Sequence, residues 1–234
     1  MPNFNLSIYY IDHSAIEAAT LEVLSDLVSP ERRERAASFR QPGDATACLC
    51  SELLLRYALR QTYGTIPELH IETGPQGKPC LPELPDFHYS ISHSYDYAAI
   101  ACSDRPIGLD IQKLLPQRNF LRLAERFFTP EEVLLIRSAS APREQLLLFT
   151  KIWAMKESYV KLLGTGLLTP LNSFQTDPAS GMITPAAAAA DTLPAARCLL
   201  FDSIPEYPMS VCQTDLDTAR AVVPRQLTAK ELLG

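Results

Sequence analysis

Two stretches of the chain place charged residues inside a regular pattern of apolar positions. In the first, residues 146–159 are good helix formers without Gly or Pro, and Gly164 stands where a left-handed C-terminal cap would lie. This pattern predicts a helix. Because side chains three and four positions apart share a helix face, Trp153, Glu157 and Lys161 are expected on one stripe. The two charges are either an exposed pair, which stabilises a helix by roughly 0.2–0.5 kcal/mol, or part of a site.

The second stretch, residues 106–112, reads PIGLDIQ and alternates between apolar and polar positions. A period of two predicts a strand whose polar face carries Asp110 and Gln112. Mg²⁺ prefers oxygen ligands and commonly takes one or two carboxylates, with substrate phosphates and water. Asp110 and Gln112 from this strand, with Glu157 from the helix, would form such a site. The alternative is that Asp110 faces solvent from an edge strand.

Another group of charges lies nearer the N-terminus. Residues 29–30, Ser-Pro, are typical of a helix start, and Arg32 and Arg35 follow within the early turns. Cations are unfavourable there, because the helix dipole attracts anions at that end. A phosphate bound across the two arginines would resolve the conflict. A solvated basic patch balanced by the neighbouring glutamates would resolve it equally well.

The remaining pattern alternates between helical and extended segments. Helices are expected at 15–28, from 30 onward, at 45–63, at 120–128 and from 130 onward. Strands are expected at 4–11, 69–73, 86–92, 97–102, 107–111, 197–201 and 209–213, with 167–174 extended and 181–192 a loop. Ser14 is expected to cap the first helix, and Thr129 with Glu132 is typical of a capping box. The break at 104–106 suggests halves of 1–105 and 106–234.

Composition narrows the class of protein. At 234 residues, with 47% hydrophobic and 21% charged content, the chain can bury a full core. A net charge of −6 argues against bulk nucleic-acid binding. The first residues lack the pattern of a signal peptide, and no apolar run reaches membrane-spanning length, so we expect a cytoplasmic protein without a membrane partner. The six cysteines and four histidines lack zinc-ligand spacing.

Taken together, the two charged stretches resemble the paired signature of the Sfp-type 4′-phosphopantetheinyl transferase family. GLDIQK is followed after about forty residues by FTKIWAMKESYVKLLGTGL, where Trp153, Lys156, Glu157, Ser158 and Lys161 match the family pattern W-x-x-K-E-[AS]-x-x-K. Further blocks stand in family order: SPERRERAASF, GKPCLP, FHYSISHS and RFFTPEE. The ordered set covers most of residues 29–175.

The resemblance implies a fold and an activity. The fold would be α/β (α+β), a monomer built of two similar halves with pseudo-twofold symmetry and the active site in the cleft between them. The activity would be Mg²⁺-dependent transfer of the 4′-phosphopantetheine arm of coenzyme A to a serine of an acyl or peptidyl carrier protein. Adenosine 3′,5′-bisphosphate would be released, and Mn²⁺ is an alternative ion.

The resemblance also implies roles for individual residues. Asp110, Gln112 and Glu157 would hold the metal, where Gln112 stands in place of an acid that many relatives carry. Glu157 would be the general base, with Glu132 as second choice, and Lys161 would hold a diphosphate oxygen. Coenzyme A would be bound by the following residues: Arg32, Arg35, Gln76, Gly77, Lys78, Pro79, Ser92, His93 and Lys161. Cys48 replaces a small polar residue of the family, which puts a phosphate contact there in doubt.

Two other functions remain open on the same residues. One is a non-catalytic module that binds coenzyme A or a nucleotide, and the other is a Mg²⁺-dependent phosphohydrolase. A module would keep its ligand when Glu157 is changed to Gln, whereas a hydrolase would cleave coenzyme A with water and without a carrier.

Overall fold

A computed structural model describes residues 6–65, 69–74, 77–116, 119–216 and 221–233. The chain divides into two compact units. The first consists of residues 1–72, 80–105 and 222–234, and the second of residues 73–79 and 106–221. Among the described residues, no helix combines the length and the apolar character needed to cross a bilayer.

Runs of helices and runs of strands follow one another along the chain, and their presence together confirms the mixed α/β class. The strands are β1 (Ser7–Asp12), β2 (Glu72–Thr73), β3 (Pro79–Cys80), β4 (His88–Ser94), β5 (Tyr97–Ser103), β6 (Gly108–Ile111), β7 (Phe174–Thr176), β8 (Met182–Pro185), β9 (Ala196–Phe201), β10 (Met209–Gln213) and β11 (Arg225–Leu227). The helices are α1 (Ala18–Asp26), α2 (Pro30–Ala37), α3 (Pro42–Tyr63), α4 (Phe120–Phe127), α5 (Pro130–Ser138), α6 (Pro142–Leu163) and α7 (Ala229–Leu233).

The first unit packs α3 against a four-stranded sheet of order β11-β1-β5-β4. Strand β5 lies between antiparallel β1 and β4, and β11 runs parallel to β1. The core includes Leu54 and Leu59 of α3 and Ile100 of β5, all fully buried. Helix α2 begins as the sequence predicts, because the Ser29 side chain accepts a hydrogen bond from the backbone N–H of Arg32.

The second unit packs α6 against a five-stranded antiparallel sheet of order β6-β10-β9-β8-β7. Helix α6 ends as predicted, at Gly164 with φ 72°, where its N–H donates to the Val160 carbonyl. The predicted capping box of α5 is also present, with Thr129 and Glu132 satisfying each other's backbone N–H groups. These two helix signals depend on local backbone hydrogen bonds, and local sequence predicts them well.

The predicted halves differ from the two units at both ends of the second unit. Residues 222–234 belong to the first unit, because β11 pairs with β1 and Leu232 of α7 is buried in the first unit's core. Residues 73–79 belong to the second unit. The expected pseudo-twofold symmetry stays a prediction.

Several predicted elements are wrong in detail. Ser14 does not cap α1, since the N-cap is Glu17 and Ser14 donates instead to the Asp12 carboxylate. The segment 167–174 is not extended but forms 3₁₀ turns at Gly166–Leu168 and Leu171–Ser173. Strand β8 lies within the predicted loop 181–192, and the predicted strand 69–73 is confined to β2. Tertiary pairing decides such short segments more than their own sequence does.

Candidate active site

The site begins with a close contact between β6 and α6. A Cβ atom added at Gly108 would lie 1.8 Å from the Ser158 carbonyl oxygen and 2.5 Å from the Leu162 backbone nitrogen. Only glycine therefore allows the strand to approach the helix backbone at this point. This approach brings the strand residue Asp110 beside the helix residue Glu157.

Asp110 is a buried carboxylate with hydrogen-bond donors on both oxygens. Its residue is 2% exposed. Lys161 Nζ lies 2.7 Å from Asp110 Oδ1, and Gln112 Nε2 donates to Asp110 Oδ2 at 2.9 Å. The structure thus brings Asp110, Gln112 and Lys161 together, and Asp110 does not face solvent from the strand.

Glu157 carries the second carboxylate of the site. Burial raises the pKa of Glu157, the negative charge of Asp110 raises it further, and Lys161 lowers it in part. The two carboxylates are therefore close enough to repel each other, and the single ammonium group of Lys161 interacts with both negative charges. Such an arrangement fits a hard divalent cation, which would neutralise the remaining charge.

The site offers few protein ligands for a metal ion. Within the described part of the chain, no group of three or more His, Cys, Asp or Glu side chains could hold a metal ion. Two carboxylates and an amide oxygen nonetheless suit Mg²⁺, because this ion commonly keeps several waters and binds substrate phosphates.

Glu132 lies in a different environment from the one expected of a general base. It is 1% exposed, and its Oε1 accepts hydrogen bonds from the N–H and hydroxyl of Thr176, at 2.7 and 2.8 Å. Its Oε2 accepts from the Thr129 N–H and lies 2.9 Å from Lys156 Nζ. Both oxygens are thus used to join α5, α6 and β7, which gives Glu132 a structural role.

Lys156 completes this buried network. Its ammonium donates to the carbonyls of Leu171 and Phe174, at 2.7 and 2.8 Å, and lies 4.5 Å from the centre of the Phe174 ring. Burial lowers the pKa of Lys156 to about 8, although Glu132 raises it. Lys156 and Glu157 therefore face different environments, as their adjacent positions on the helix require.

Trp153 shares the helix stripe with Glu157 and packs into an aromatic cluster. Its ring contacts those of Phe127, Phe128 and Phe149, with centroids 5.8–6.0 Å apart. Trp153 and Gln112 also line a groove of about 190 Å³. The aromatic part of the motif thus supports the helix that carries Glu157.

Lys78 does not extend freely from the turn in which it lies. Its Nζ donates to the carbonyls of Ile107 and Leu162, at 2.8 and 3.3 Å, and burial lowers its pKa to about 8. Its aliphatic stem lies against Gly164, where an added Cβ would be 3.5 Å away. Lys78 therefore ties the turn to the end of α6 and the start of β6.

The structure describes some of the neighbouring residues that the family resemblance implies at coenzyme A. Gly77 has a φ of 91°, which favours glycine, and Pro79 begins β3. The predicted contact residue Gln76 lies outside the described residues.

The two predicted arginines line one pocket in the first unit. Arg32 and Arg35 border a cavity of about 390 Å³ with Ser29, Glu52 and His70 among its other walls. Arg32 is held there by Glu52, whose Oε2 lies 3.4 Å from Arg32 Nε. The pocket also contains Glu31, so its two arginines are matched by two glutamates, and the guanidinium that Glu52 orients is the group suited to a phosphate.

Glu52 is buried at the base of this pocket, with 1% of the residue exposed. It accepts hydrogen bonds from the N–H and hydroxyl of Ser29, at 2.8 and 3.0 Å, and from Arg56 at 2.7 and 2.9 Å. Burial would raise the pKa of Glu52, but the hydrogen bonds from Arg56 and Ser29 outweigh it and lower the pKa. Glu52 is thus an ionised anchor for α2 and Arg32.

Ser92 and His93 lie near the end of β4, also in the first unit. Ser92 is buried, whereas His93 is exposed. The turn that follows, Tyr95–Asp96, closes the β4–β5 hairpin, whose two strands were both expected from the sequence. His13, the residue after β1, is close to His93. Burial lowers the pKa of His13, and the nearby His93 lowers it further.

Comparison with known proteins gives the same family in both parts of the chain. The profile of the 4′-phosphopantetheinyl transferase superfamily matches residues 106–212. The profile described as 4′-phosphopantetheinyl transferase, N-terminal, matches residues 16–105.

Individual relatives agree. A 4′-phosphopantetheinyl transferase of Bacillus subtilis is 41% identical over 149 residues, which cover 63% of this chain and 65% of the relative. The transferase Sfp of Bacillus subtilis strain 168 is 38% identical, over 65% of this chain and 67% of the relative. The transferase ffp of Bacillus subtilis is 36% identical, over 70% of this chain and 72% of the relative. The chain belongs to the 4′-phosphopantetheinyl transferase family. Its alignment spans slightly less than two thirds of the first of these relatives.

Sequence reasoning missed two residues that line the pocket of Arg32 and Arg35. Glu52 stands inside an apolar helix stripe, one turn after Cys48 and one turn before Arg56, and an acid in that position signals a buried partner. His70 lines the arginine pocket and pairs with Glu83 at 2.9 Å, a contact distant in sequence that no local pattern indicates.

Proposed function

We propose that the protein transfers the 4′-phosphopantetheine arm of coenzyme A to a serine hydroxyl of an acyl or peptidyl carrier protein. Adenosine 3′,5′-bisphosphate is the second product. The observation that carries the proposal is the pair of adjacent carboxylates, Asp110 and Glu157, with Lys161 at 2.7 Å from the first. This pair suits a reaction whose main demand is to hold and neutralise a diphosphate during in-line attack.

Asp110 and Glu157 would hold Mg²⁺, with Gln112 turning its amide oxygen toward the ion or supporting Asp110 by hydrogen bonding. When bound, the ion acts as a Lewis acid and template for the diphosphate. The position of Gln112 Nε2, 2.9 Å from Asp110 Oδ2, supports the second of these roles for Gln112.

Glu157 is the proposed general base. Its carboxylate, one helical turn before Lys161, would accept the proton of the attacking serine hydroxyl. Lys161, one helical turn further on, would donate to a diphosphate oxygen as negative charge develops on the leaving group. Glu132 is not proposed as a base, because Lys156 and Thr176 occupy its oxygens.

The first unit supplies the proposed contacts to the adenosine part of coenzyme A. Arg32 and Arg35 would bind the 3′-phosphate, with Glu52 fixing the Arg32 guanidinium. Ser92 and His93 would contact phosphate oxygens. We assign Lys78 a supporting role in addition, because its ammonium is held by two carbonyl groups of the second unit.

The proposal is tested by incubating the protein with Mg²⁺, coenzyme A and a panel of apo carrier proteins. Transfer adds about 340 Da to the carrier serine, which intact-mass spectrometry resolves. The Glu157→Gln variant should lose turnover by about 10²–10⁴-fold while coenzyme A binding persists. Glu131→Gln, an exposed acid on α5, is the matched control and should retain activity.

Three results would contradict the proposal. No mass shift on any carrier would exclude the transfer. Cleavage of coenzyme A without a carrier would indicate a phosphohydrolase instead. Binding of coenzyme A with neither transfer nor cleavage would indicate a binding module. We further expect the protein to act as a monomer in the cytoplasm, where coenzyme A and carrier proteins meet.

A further inference from the structure

Two cysteines face each other beneath α6 in the second unit. Cys198 of β9 and Cys212 of β10 are direct partners in the antiparallel ladder. The N–H of Cys198 donates to the Gly181 carbonyl at 2.7 Å, on the side away from β10. In an antiparallel strand the N–H and C=O of one residue point to the same side, so Cys198 and Cys212 form a non-hydrogen-bonded pair.

This type of pair brings side chains close together. Its Cα atoms are typically about 4.5 Å apart, which lies within the range of about 4.4–6.8 Å that disulfides span. The backbone therefore already has the spacing that a disulfide requires.

The thiols lie in a small polar cluster. Ser158 Oγ is 3.6 Å from Cys198 Sγ and 2.8 Å from Ser210 Oγ. Gly108, Cys212 and Cys198 are paired across the three strands of the sheet. Asp110 and Ser210 are paired two residues further along their strands, on the same face. The cluster thus lies behind the carboxylate pair without including either carboxylate.

The two thiols differ in acidity. Burial disfavours a thiolate, but hydrogen bonds from Cys212, Ser210 and Ser158 outweigh it and lower the pKa of Cys198. Burial and the neighbouring Cys198 raise the pKa of Cys212. Ser158 Oγ lies 3.6 Å from Cys198 Sγ, and this polar contact favours Cys198 as the nucleophile and Cys212 as the sulfur that resolves the product.

We infer that Cys198 and Cys212 are a redox modification site, a dithiol that a hydroperoxide converts to an intrachain disulfide. The Cys198 thiolate attacks a peroxide oxygen, the O–O bond breaks, and water and a sulfenic acid form. The Cys212 thiol then attacks the Cys198 sulfur, the S–O bond breaks, the S–S bond forms, and a second water leaves. Two thiols lose two electrons, and hydrogen peroxide is reduced to two waters.

The chain contains its own controls for burial. Cys50 and Cys102 are as buried as the pair, but burial raises the pKa of each to about 12. Cys80 is exposed. Local unfolding lets some peroxide reach every buried thiol. Preferred oxidation of Cys198 and Cys212 over Cys50 and Cys102 would therefore distinguish a specific redox site from general oxidation.

The test treats the full chain with hydrogen peroxide, alkylates the remaining thiols and maps the peptides without reduction. We expect a Cys198–Cys212 cross-linked peptide at least tenfold more abundant than any other cysteine pair, with loss of about 2 Da that thiol reductant reverses. Cys50 and Cys102 should remain alkylated. The Cys212→Ser variant should stop at the sulfenic acid, which a dimedone adduct on Cys198 reports.

Two results would overturn the inference. One is that Cys198 and Cys212 remain alkylated thiols while Cys80 is oxidised. The other is that Cys50 and Cys102 are oxidised to the same extent as the pair. The peptide map of the unsubstituted chain decides this even if Cys212→Ser does not fold, and its outcome does not depend on the proposed transferase activity.

Discussion

Lys161 Nζ lies 2.7 Å from Asp110 Oδ1 and joins the end of α6 to β6. The same ammonium lowers the pKa of Glu157, against burial and the charge of Asp110. Without a bound ion, Lys161 is thus the group that offsets the repulsion between the two carboxylates. With substrate, the same group would be close enough to serve the diphosphate.

The Lys161→Met variant should separate these two roles. Loss of a transition-state charge contact should lower kcat about 10²–10³-fold. Mg²⁺ affinity should not fall, because the remaining carboxylates carry less compensated negative charge. Steady-state kinetics and calorimetric Mg²⁺ titration measure the two effects. Lys151→Met, which removes an ammonium from the same helix at its ion pair with Asp202, is the control and should change neither.

The raised pKa of Glu157 predicts a pH dependence of activity. As the proposed base, Glu157 must be ionised, so kcat/KM should fall as the pH decreases. Burial and Asp110 raise the pKa of Glu157 in the ion-free protein, whereas Mg²⁺ favours the ionised form, so the acid limb should move to lower pH as the Mg²⁺ concentration rises. A pH–rate profile from pH 4 to 8 measures this limb. A limb that persists unchanged in the residual activity of Glu157→Gln would assign the base elsewhere.

The same pKa predicts a dependence of stability on pH. A group whose folded-state pKa is raised contributes stability below its unfolded pKa and loses that contribution as the pH rises through the folded pKa. Without metal, Glu157→Gln should therefore unfold at a higher temperature than the unsubstituted protein at pH 7, and the difference should vanish near pH 4. Thermal melts in chelator test this. A variant less stable at pH 7 would contradict the placement of Glu157 beside Asp110.

Because Glu132 and Lys156 form a buried ion pair, removing one partner should lower the stability of the fold. This prediction follows from a structural role for Glu132 and does not require it to be a catalytic base. Removing one partner leaves an uncompensated buried charge, which costs about 3–5 kcal/mol, so Lys156→Met should melt several degrees lower. The double variant Glu132→Leu/Lys156→Met should recover much of this loss. The exposed pair of Arg143 and Glu206 is the control, and Arg143→Gln should cost at most about 1 kcal/mol. An equal cost at both pairs would contradict a structural role for Glu132.

The contact between Glu52 and Arg32 predicts that a change at Glu52 selectively raises the KM for coenzyme A. Glu52→Gln should raise KM for coenzyme A while leaving KM for dephospho-coenzyme A, which lacks the 3′-phosphate, nearly unchanged. In an Arg32→Ala background the substitution should have little further effect, because the positioned group is already absent. Glu31→Gln removes the same charge from the same pocket and should not raise KM. Equal increases for both substrates would show that Glu52 acts on general folding instead.

The features predicted well from the sequence are those set by local geometry. The cap at Gly164, the capping box at Thr129 and the helix start at Ser29 each depend on residues within one turn. The strand and helix patterns and the family motif both predict that Asp110 and Glu157 meet, and Gly108 explains it physically, because only glycine lets the strand reach the helix backbone.

The features that sequence reasoning missed depend on contacts between distant residues. The Glu132–Lys156 pair joins residues on different helices, and the parallel pairing of β11 with β1 joins the two ends of the chain. The family resemblance implies that Lys78 contacts coenzyme A, and no local pattern indicates that its ammonium also donates to the carbonyls of Ile107 and Leu162. No periodicity within a window of residues encodes such partners.

The measurement that tests the central claim most directly is the number and affinity of divalent ions bound at Asp110 and Glu157. Mn²⁺ can be titrated into the protein with coenzyme A present, and the free ion followed by electron paramagnetic resonance. We expect one bound ion per chain in the unsubstituted protein and at least a tenfold weaker affinity in both Asp110→Asn and Glu157→Gln. Unchanged stoichiometry and affinity in either variant would contradict a shared ion.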